Sequence, residues 1–389
     1  MSKINDTKYY ITFILLYSFS YMCNAVYSIF IPVYLDNIGY SKTNIGILLS
    51  LAPVVAILGQ PIWGTFTDRS KNKNTVLKIL IGGSALSVLL YKISTDFFYL
   101  SCIITCFTFF QTSINPLSDA ITLEYSQETK WKFGHIRLAG TLGYSIMAVV
   151  AGNLLIKDLN NMFILYFLLG CLTFITTLFI PKIKGHQAGK KKLAPWQLFK
   201  DKKLIMYLMF ALVIQITLGF YNTFFSIYYQ QLGANRSLIG WSSFISGISE
   251  IPFLFFAHII LKKLKTPLAL LIAGFAAGLR WLILGISADI YVILIFQLIH
   301  GLIYIVISVS LATYINESVP KELKATGQAL NALFGTGVAR VIGSLFGGYL
   351  SDLFGIRNMF IYNSIIAFIA VIVFALLLYK QKSKETASL

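Results

Sequence analysis

Long apolar runs broken by short polar stretches dominate the chain. Cut at those breaks, the runs form twelve helix-length segments, at 10–35, 43–66, 74–93, 97–123, 133–156, 161–181, 205–231, 237–260, 266–287, 290–315, 325–350 and 356–380. Each is close to the ~20 residues a bilayer-spanning helix needs. The first run is longer and more continuous than the core of a cleaved signal peptide, so it is taken as the first span. The short alternating segments of a transmembrane barrel do not occur in the sequence. The pattern predicts an all-α membrane protein.

Composition agrees: 57% of residues are hydrophobic and 12% charged. A soluble domain, with about one quarter of its residues charged, covers its surface in a way this chain cannot. The net charge of +17 would suit a nucleic-acid binder, but its placement argues otherwise. Most lysines and arginines fall at the termini and in the even-to-odd loops. Lys42, Lys92, Lys157, Arg236 and Arg357 lie in or at the edge of the opposite loops, and Arg137, Arg280 and Arg340 lie deeper inside spans. That asymmetry predicts cytoplasmic termini in a plasma membrane. The remaining positive charge would attract anionic lipid, and no nucleic-acid partner is implied.

A basic stretch at 181–203 splits the spans six and six. The expected organisation is an N-terminal six-helix bundle (1–181), a cytoplasmic linker with a short surface helix (182–204) and a C-terminal six-helix bundle (205–389). GILLSLAPVVAILGQPIWG, from Gly46, aligns weakly with GWSSFISGISEIPFLFFAH, from Gly240, as an internal repeat would. In that comparison Glu250 replaces Ala56, a carboxylate the shared scaffold does not need.

The candidate chemistry is the set of ionisable side chains inside apolar helices, which cost several kcal/mol and persist when paired or functional. Residues 115–144 place Asp119 and Arg137 in consecutive spans. Glu250, Arg280 and His300 fall at similar depth in spans eight, nine and ten, and Arg340 lies in span eleven. Asn24 and Tyr27 share a face of the first span, and Tyr221 and Asn222 sit inside the seventh. Each has a plainer reading: a salt bridge clamping two helices for Asp119 with Arg137, and packing or interhelical hydrogen bonds for His300, Asn24 and the tyrosines. Cys23, Cys102, Cys106 and Cys171 all fall in spans, where neither a disulfide framework nor a metal site is indicated. The GTG at 335–337 lacks the third glycine and preceding strand of a dinucleotide fingerprint.

Gly64, Asp68, Arg69 and Lys73 resemble the loop between helices two and three of the major facilitator superfamily, with Lys71 where a second glycine is usual. In that family the loop gates the cytoplasmic side. Within the superfamily, FGHIRLAGTLGY (133–144), Glu250 before PFLFFA, Arg280 in LRW and His300 in LIHG resemble the oligosaccharide:proton symporter and phenylpropionate permease branch. The resemblance implies that Arg137 binds substrate beside Asp119, that Tyr144 stacks on it, and that Glu250 contacts it. It further implies that Arg280 and His300 belong to a coupling network. The chain departs from the lactose-permease pattern at Ile303, Gln297 and Asn222, where that pattern has a glutamate, a lysine and an aspartate. Asp119 and Glu250 are then the central carboxylates left to carry a proton.

The resulting expectation is the major facilitator fold, working as a monomer with no cofactor and no catalytic residues. It would perform proton-linked uptake of a small polar organic solute by alternating access, sugar or oligosaccharide first and an aromatic or other carboxylate second. The alternative is a proton-antiport exporter of drugs or metabolites. Asn24, Tyr27, Asp119, Arg137, Tyr144, Tyr221, Asn222 and Glu250 would bind substrate. Asp119, Glu250, Arg280 and His300 would couple protons, Gly64, Asp68 and Arg69 would gate, and Arg340 would contact an anion.

Overall fold

A computed structural model describes residues 3–126, 129, 131–181, 201–320 and 323–387. Nearly all of the expected linker, 182–204, lies outside the described residues. Among those described, twelve helices are long and apolar enough to cross a bilayer. They are α1 (Thr7–Asn37), α2 (Lys42–Arg69), α3 (Lys73–Lys92), α4 (Phe97–Ser126), α5 (Phe133–Leu154) and α6 (Asn161–Leu178), followed by α7 (Lys202–Gln231), α8 (Arg236–Phe256), α9 (Leu261–Ile286), α10 (Ile290–Ser318), α11 (Thr326–Phe354) and α12 (Ile356–Gln381).

Short polar side chains start the helices by accepting from orphan backbone N–H groups. Asn72 caps α3, Asp96 caps α4, Asp201 caps α7 and Asp289 caps α10. Two bases from the sparse set of loops finish helices. Arg236 donates to the Leu155 and Ile156 carbonyls at the end of α5 (2.6 and 2.8 Å). Arg357 donates to Gly285 and Ile286 at the end of α9 (both 2.8 Å). A cation suits the negative end of a helix dipole, which gives these two arginines a local reason for their place.

The chain packs into two compact units. The first is built on α1–α6 together with Gly233–Phe244. Phe13, Leu16 and Tyr17 of α1 are buried in its core against Leu77, Leu80, Ile121 and Ile136. A Cβ at Gly143 would come within 2.7 Å of the Ser18 carbonyl, so α5 lies on α1 backbone to backbone, a contact only glycine allows. At one end of this unit Lys73 pairs with Glu124 at 2.5 Å and Asn74 donates to the Ile180 and Pro181 carbonyls, tying α3 to α4 and to the end of α6.

The second unit is built on α7–α12 together with Ser41–Gly46. Here α7 is buried for most of its length, and Trp281 of α9 donates to Thr217 at 2.9 Å while packing on Tyr221 and Phe360. Asp352, near the end of α11, accepts from the Lys42 and Thr43 N–H groups that open α2, at 2.9 and 2.7 Å. Three helices in this unit depart from α geometry among the described residues, α9 at Lys265, where φ is 54°. Residues Phe296–Ile299 of α10 tighten to a 3-10 turn, and Leu333–Val338 of α11 widen to a π-helix. Large exposed apolar side chains, among them Leu58, Leu86, Phe255, Phe346 and Leu376, form surface suited to lipid rather than water.

Candidate functional site

In the first unit the site is organised by one face of α1. Tyr17, Ser20, Tyr21 and Asn24 recur at the three- and four-residue spacing that stacks side chains on one side of a helix. Tyr17 donates its hydroxyl to Asp119 of α4 at 2.6 Å. The guanidinium of Arg137, from α5, lies 4.4 Å from the centre of the Tyr21 ring, a cation–π contact. The two tyrosines stack, with centroids 6.4 Å apart and 13° between planes. The expected acid and base are thus joined through a tyrosine pair.

One turn further along α1, Asn24 accepts from Gln111 and donates to the Ser20 carbonyl at 3.3 Å, while Ser20 donates to Asn115 at 3.1 Å. Ser84, Tyr166 and Thr173, with Ile81 and Ile114, line a small cavity beside Asn24. Tyr27 shares a hydrogen bond with Tyr91 (2.8 Å) and packs 4.4 Å from Phe107, within an aromatic cluster. Tyr144 is half-buried, with its hydroxyl 3.4 Å from that of Ser28.

The second unit holds a tighter network. Arg280 is fully buried, and its hydrogen bonds among the described residues go to neutral acceptors: Gln297 Oε1 and, at 2.8 Å, His300 Nδ1. Gln297 is the hub. Its Oε1 also accepts from Tyr221 (2.7 Å) and Ser246 (3.2 Å), and its Nε2 donates to Ile293 within the same helix. The guanidinium lies 4.3 Å from the Tyr221 ring and 5.2 Å from Trp281. The His300 ring stacks on Tyr304 at 5.9 Å and 10°.

The direction of the histidine follows from donor chemistry. A guanidinium only donates, so Nδ1 must accept, and the ring hydrogen sits on Nε2. Nε2 faces Glu250 Oε1 at 3.5 Å. The order is therefore Gln297, Arg280, His300, Glu250, with the carboxylate at the more open end, its side chain 20% exposed.

Not every expected residue joins these networks. Asn222 is exposed although its neighbour Tyr221 is buried. Arg340 is exposed just beyond the π segment. Gly64, Asp68 and Arg69 are exposed on the last turns of α2. Tyr17, Tyr21, Ser246 and Gln297 belong to the networks without having been singled out as site residues. The α1 polar spacing was the available signal for the tyrosines. In the sequence Gln297 stands out only as a departure from the resemblance.

Twelve spanning helices, a half-buried acid and base in the first unit and a fully buried arginine in the second are features suited to a transporter of small solutes. The chain belongs to the MFS_1 like family, whose model matches residues 10–362. It is similar to an uncharacterized transporter, YwbF, of Bacillus subtilis (strain 168), 27% identical over 349 residues that cover 89% of this chain and 86% of that one. It is also similar to a maltose permease of Geobacillus stearothermophilus, 26% identical over 357 residues that cover 88% of each chain. The crystal structure of the nucleoside transporter NupG superposes with a TM-score of 0.85 at 16% identity, covering 95% of this chain and 98% of that one, a likeness of fold.

Proposed function

We propose that this transporter takes up a small polar organic solute together with protons, by alternating access. A sugar or oligosaccharide is the preferred solute, and the similarity to a maltose permease supports that class. An aromatic or other carboxylate ranks second, because Arg137, Arg280 and Arg340 outnumber Asp119 and Glu250.

The observation that carries the coupling reading is the order Arg280–His300–Glu250. With Nδ1 committed to Arg280, His300 presents a donor to Glu250 and holds that carboxylate beside the site. Protonation of Glu250 removes its charge and weakens its hold on the Nε2 hydrogen, so one side chain alternates between a proton and its ligands. In the first unit, Asp119 held by Tyr17 and Arg137 held by Tyr21 offer an acceptor and a donor to a solute.

Proteoliposomes tested with the pH gradient imposed in each direction separate uptake from export. Solute accumulation driven by an outside-acid gradient supports symport. Accumulation only with the opposite gradient identifies an antiport exporter and overturns the reading.

A further inference from the structure

Beyond the charged network, the second unit contains an uncharged cavity of about 220 Å³ between α7, α10 and α11. Its origin is local. Near Gly219 the helices α7 and α11 touch backbone to backbone: a Cβ there would meet the Ala339 carbonyl and the Arg340 Cα at 3.0 Å, and Gly343 abuts the Ile216 carbonyl. The contact ends where α11 becomes a π-helix at Leu333–Val338, and the cavity opens beside that segment. Such i→i+5 turns inside α-helices frequently mark functional sites.

The lining has a definite chemistry. Gln215, Ser308 and Asn331 face the cavity half-buried, and none has a hydrogen-bond partner among the described residues. No Asp, Glu, Lys, Arg or His lines it. A charged ligand group would therefore find no counter-charge to offset its lost hydration. Amides and hydroxyls both donate and accept, which matches a ligand bearing several hydroxyls. Leu208, Leu212 and Phe334 give the same cavity an apolar wall, suited to the C–H face of a ring. Ser308 lies eight residues after His300, about 12 Å along α10, so this cavity is a separate place from the Arg280–Glu250 network.

We infer that this cavity is a ligand subsite for a neutral, polyhydroxylated ring, with Gln215 and Asn331 as its hydrogen-bonding side chains. The inference rests on the reading of the chain as a transporter of polar solutes and names the class: a neutral sugar-like ring rather than a carboxylate. The charged network then serves the coupling ion and the remainder of the solute.

The test is equilibrium binding to the purified full-length chain in nanodiscs. Maltose, raffinose and uridine serve as neutral hydroxyl-bearing probes, and 3-phenylpropionate as a charged ring without hydroxyls. Gln215→Leu removes the amide. Gly335→Val fills the cavity instead, and its new Cβ would meet nothing nearer than the Gln215 amide at 3.8 Å, an ordinary contact. At least one neutral probe is expected to bind, with Kd raised tenfold or more in both variants while their ligand-free melting temperatures match the parent. If one variant fails to fold, the other decides.

Binding of 3-phenylpropionate alone overturns the inference, as does binding of no probe. Neutral-probe affinity unchanged by the substitutions also overturns it. Solute accumulation in proteoliposomes keeps the two claims apart. A parent chain that accumulates solute while both variants bind normally loses the subsite and keeps the transport reading. A parent chain that binds a neutral probe as expected but accumulates no solute under either gradient loses the transport reading instead.

Discussion

Arg280 of α9 donates to Nδ1 of His300 in α10 at 2.8 Å, and this contact decides what the histidine offers Glu250. The two nitrogens of His300 then have separate duties, which substitution can divide. Asparagine places an acceptor near the Nδ1 position and falls short of Glu250, whereas leucine supplies neither. His300→Asn is expected to keep the parent's melting temperature and lose tenfold or more of its proton-driven uptake. His300→Leu is expected to lower both. Thermal unfolding in detergent and uptake into proteoliposomes read the two effects.

Gln297 gathers Tyr221, Ser246 and Arg280 on one amide oxygen. Replacing it with leucine removes one of the two acceptors of a fully buried guanidinium, and leaving a buried donor unsatisfied costs about 1–3 kcal/mol, more for a charged group. Gln297→Leu is expected to show a large fall in melting temperature. Gln297→Glu, which keeps an acceptor at the hub, is expected to retain the fold. Equal stability of the leucine variant and the parent would remove the hub role.

Tyr17 and Asp119 form a charge-assisted hydrogen bond of 2.6 Å across α1 and α4. Such a bond contributes about 1.5–3 kcal/mol. Tyr17→Phe and Asp119→Asn should each lower stability, and the double variant should lose less than the sum, by roughly that coupling energy. A double-mutant cycle on unfolding measures it, and additive losses would show that the pair is not coupled.

Asp352 caps α2 through the Lys42 and Thr43 N–H groups. Loss of an N-cap costs about 0.5–2 kcal/mol. Asp352→Ala is expected to lower the melting temperature by a corresponding few degrees. Asp352→Asn, which keeps one acceptor oxygen, is expected to lose less.

The fold was legible because hydropathy and helix length are local properties. The segment expected at 133–156 is α5, Phe133–Leu154, and the one expected at 356–380 is α12, Ile356–Gln381. The charged residues also announced themselves, since each stands out in apolar sequence. Neutral partners did not. Gln297 and Ser246 look like ordinary packing polars until residues 17 to 76 positions away converge on one amide oxygen. The surroundings of Asn222 were not legible either. This residue follows Tyr221 directly, but one residue turns a helix by about 100°, and that rotation leaves it exposed. The π segment of α11 has no period of its own in the sequence, so the cavity beside it could not be read there.

Glu250, oriented by His300 and Arg280, is the proposed carrier of the coupled proton. That role is tested most directly by comparing the parent chain with Glu250→Gln in proteoliposomes, using a solute that the parent accumulates. Accumulation under an outside-acid gradient and gradient-free exchange of labelled for unlabelled solute are measured on the same vesicles. Glu250→Gln is expected to lose accumulation and keep exchange, because solute binding and the transport cycle survive while the proton site does not. Gradient-driven accumulation by Glu250→Gln equal to the parent's would contradict that role.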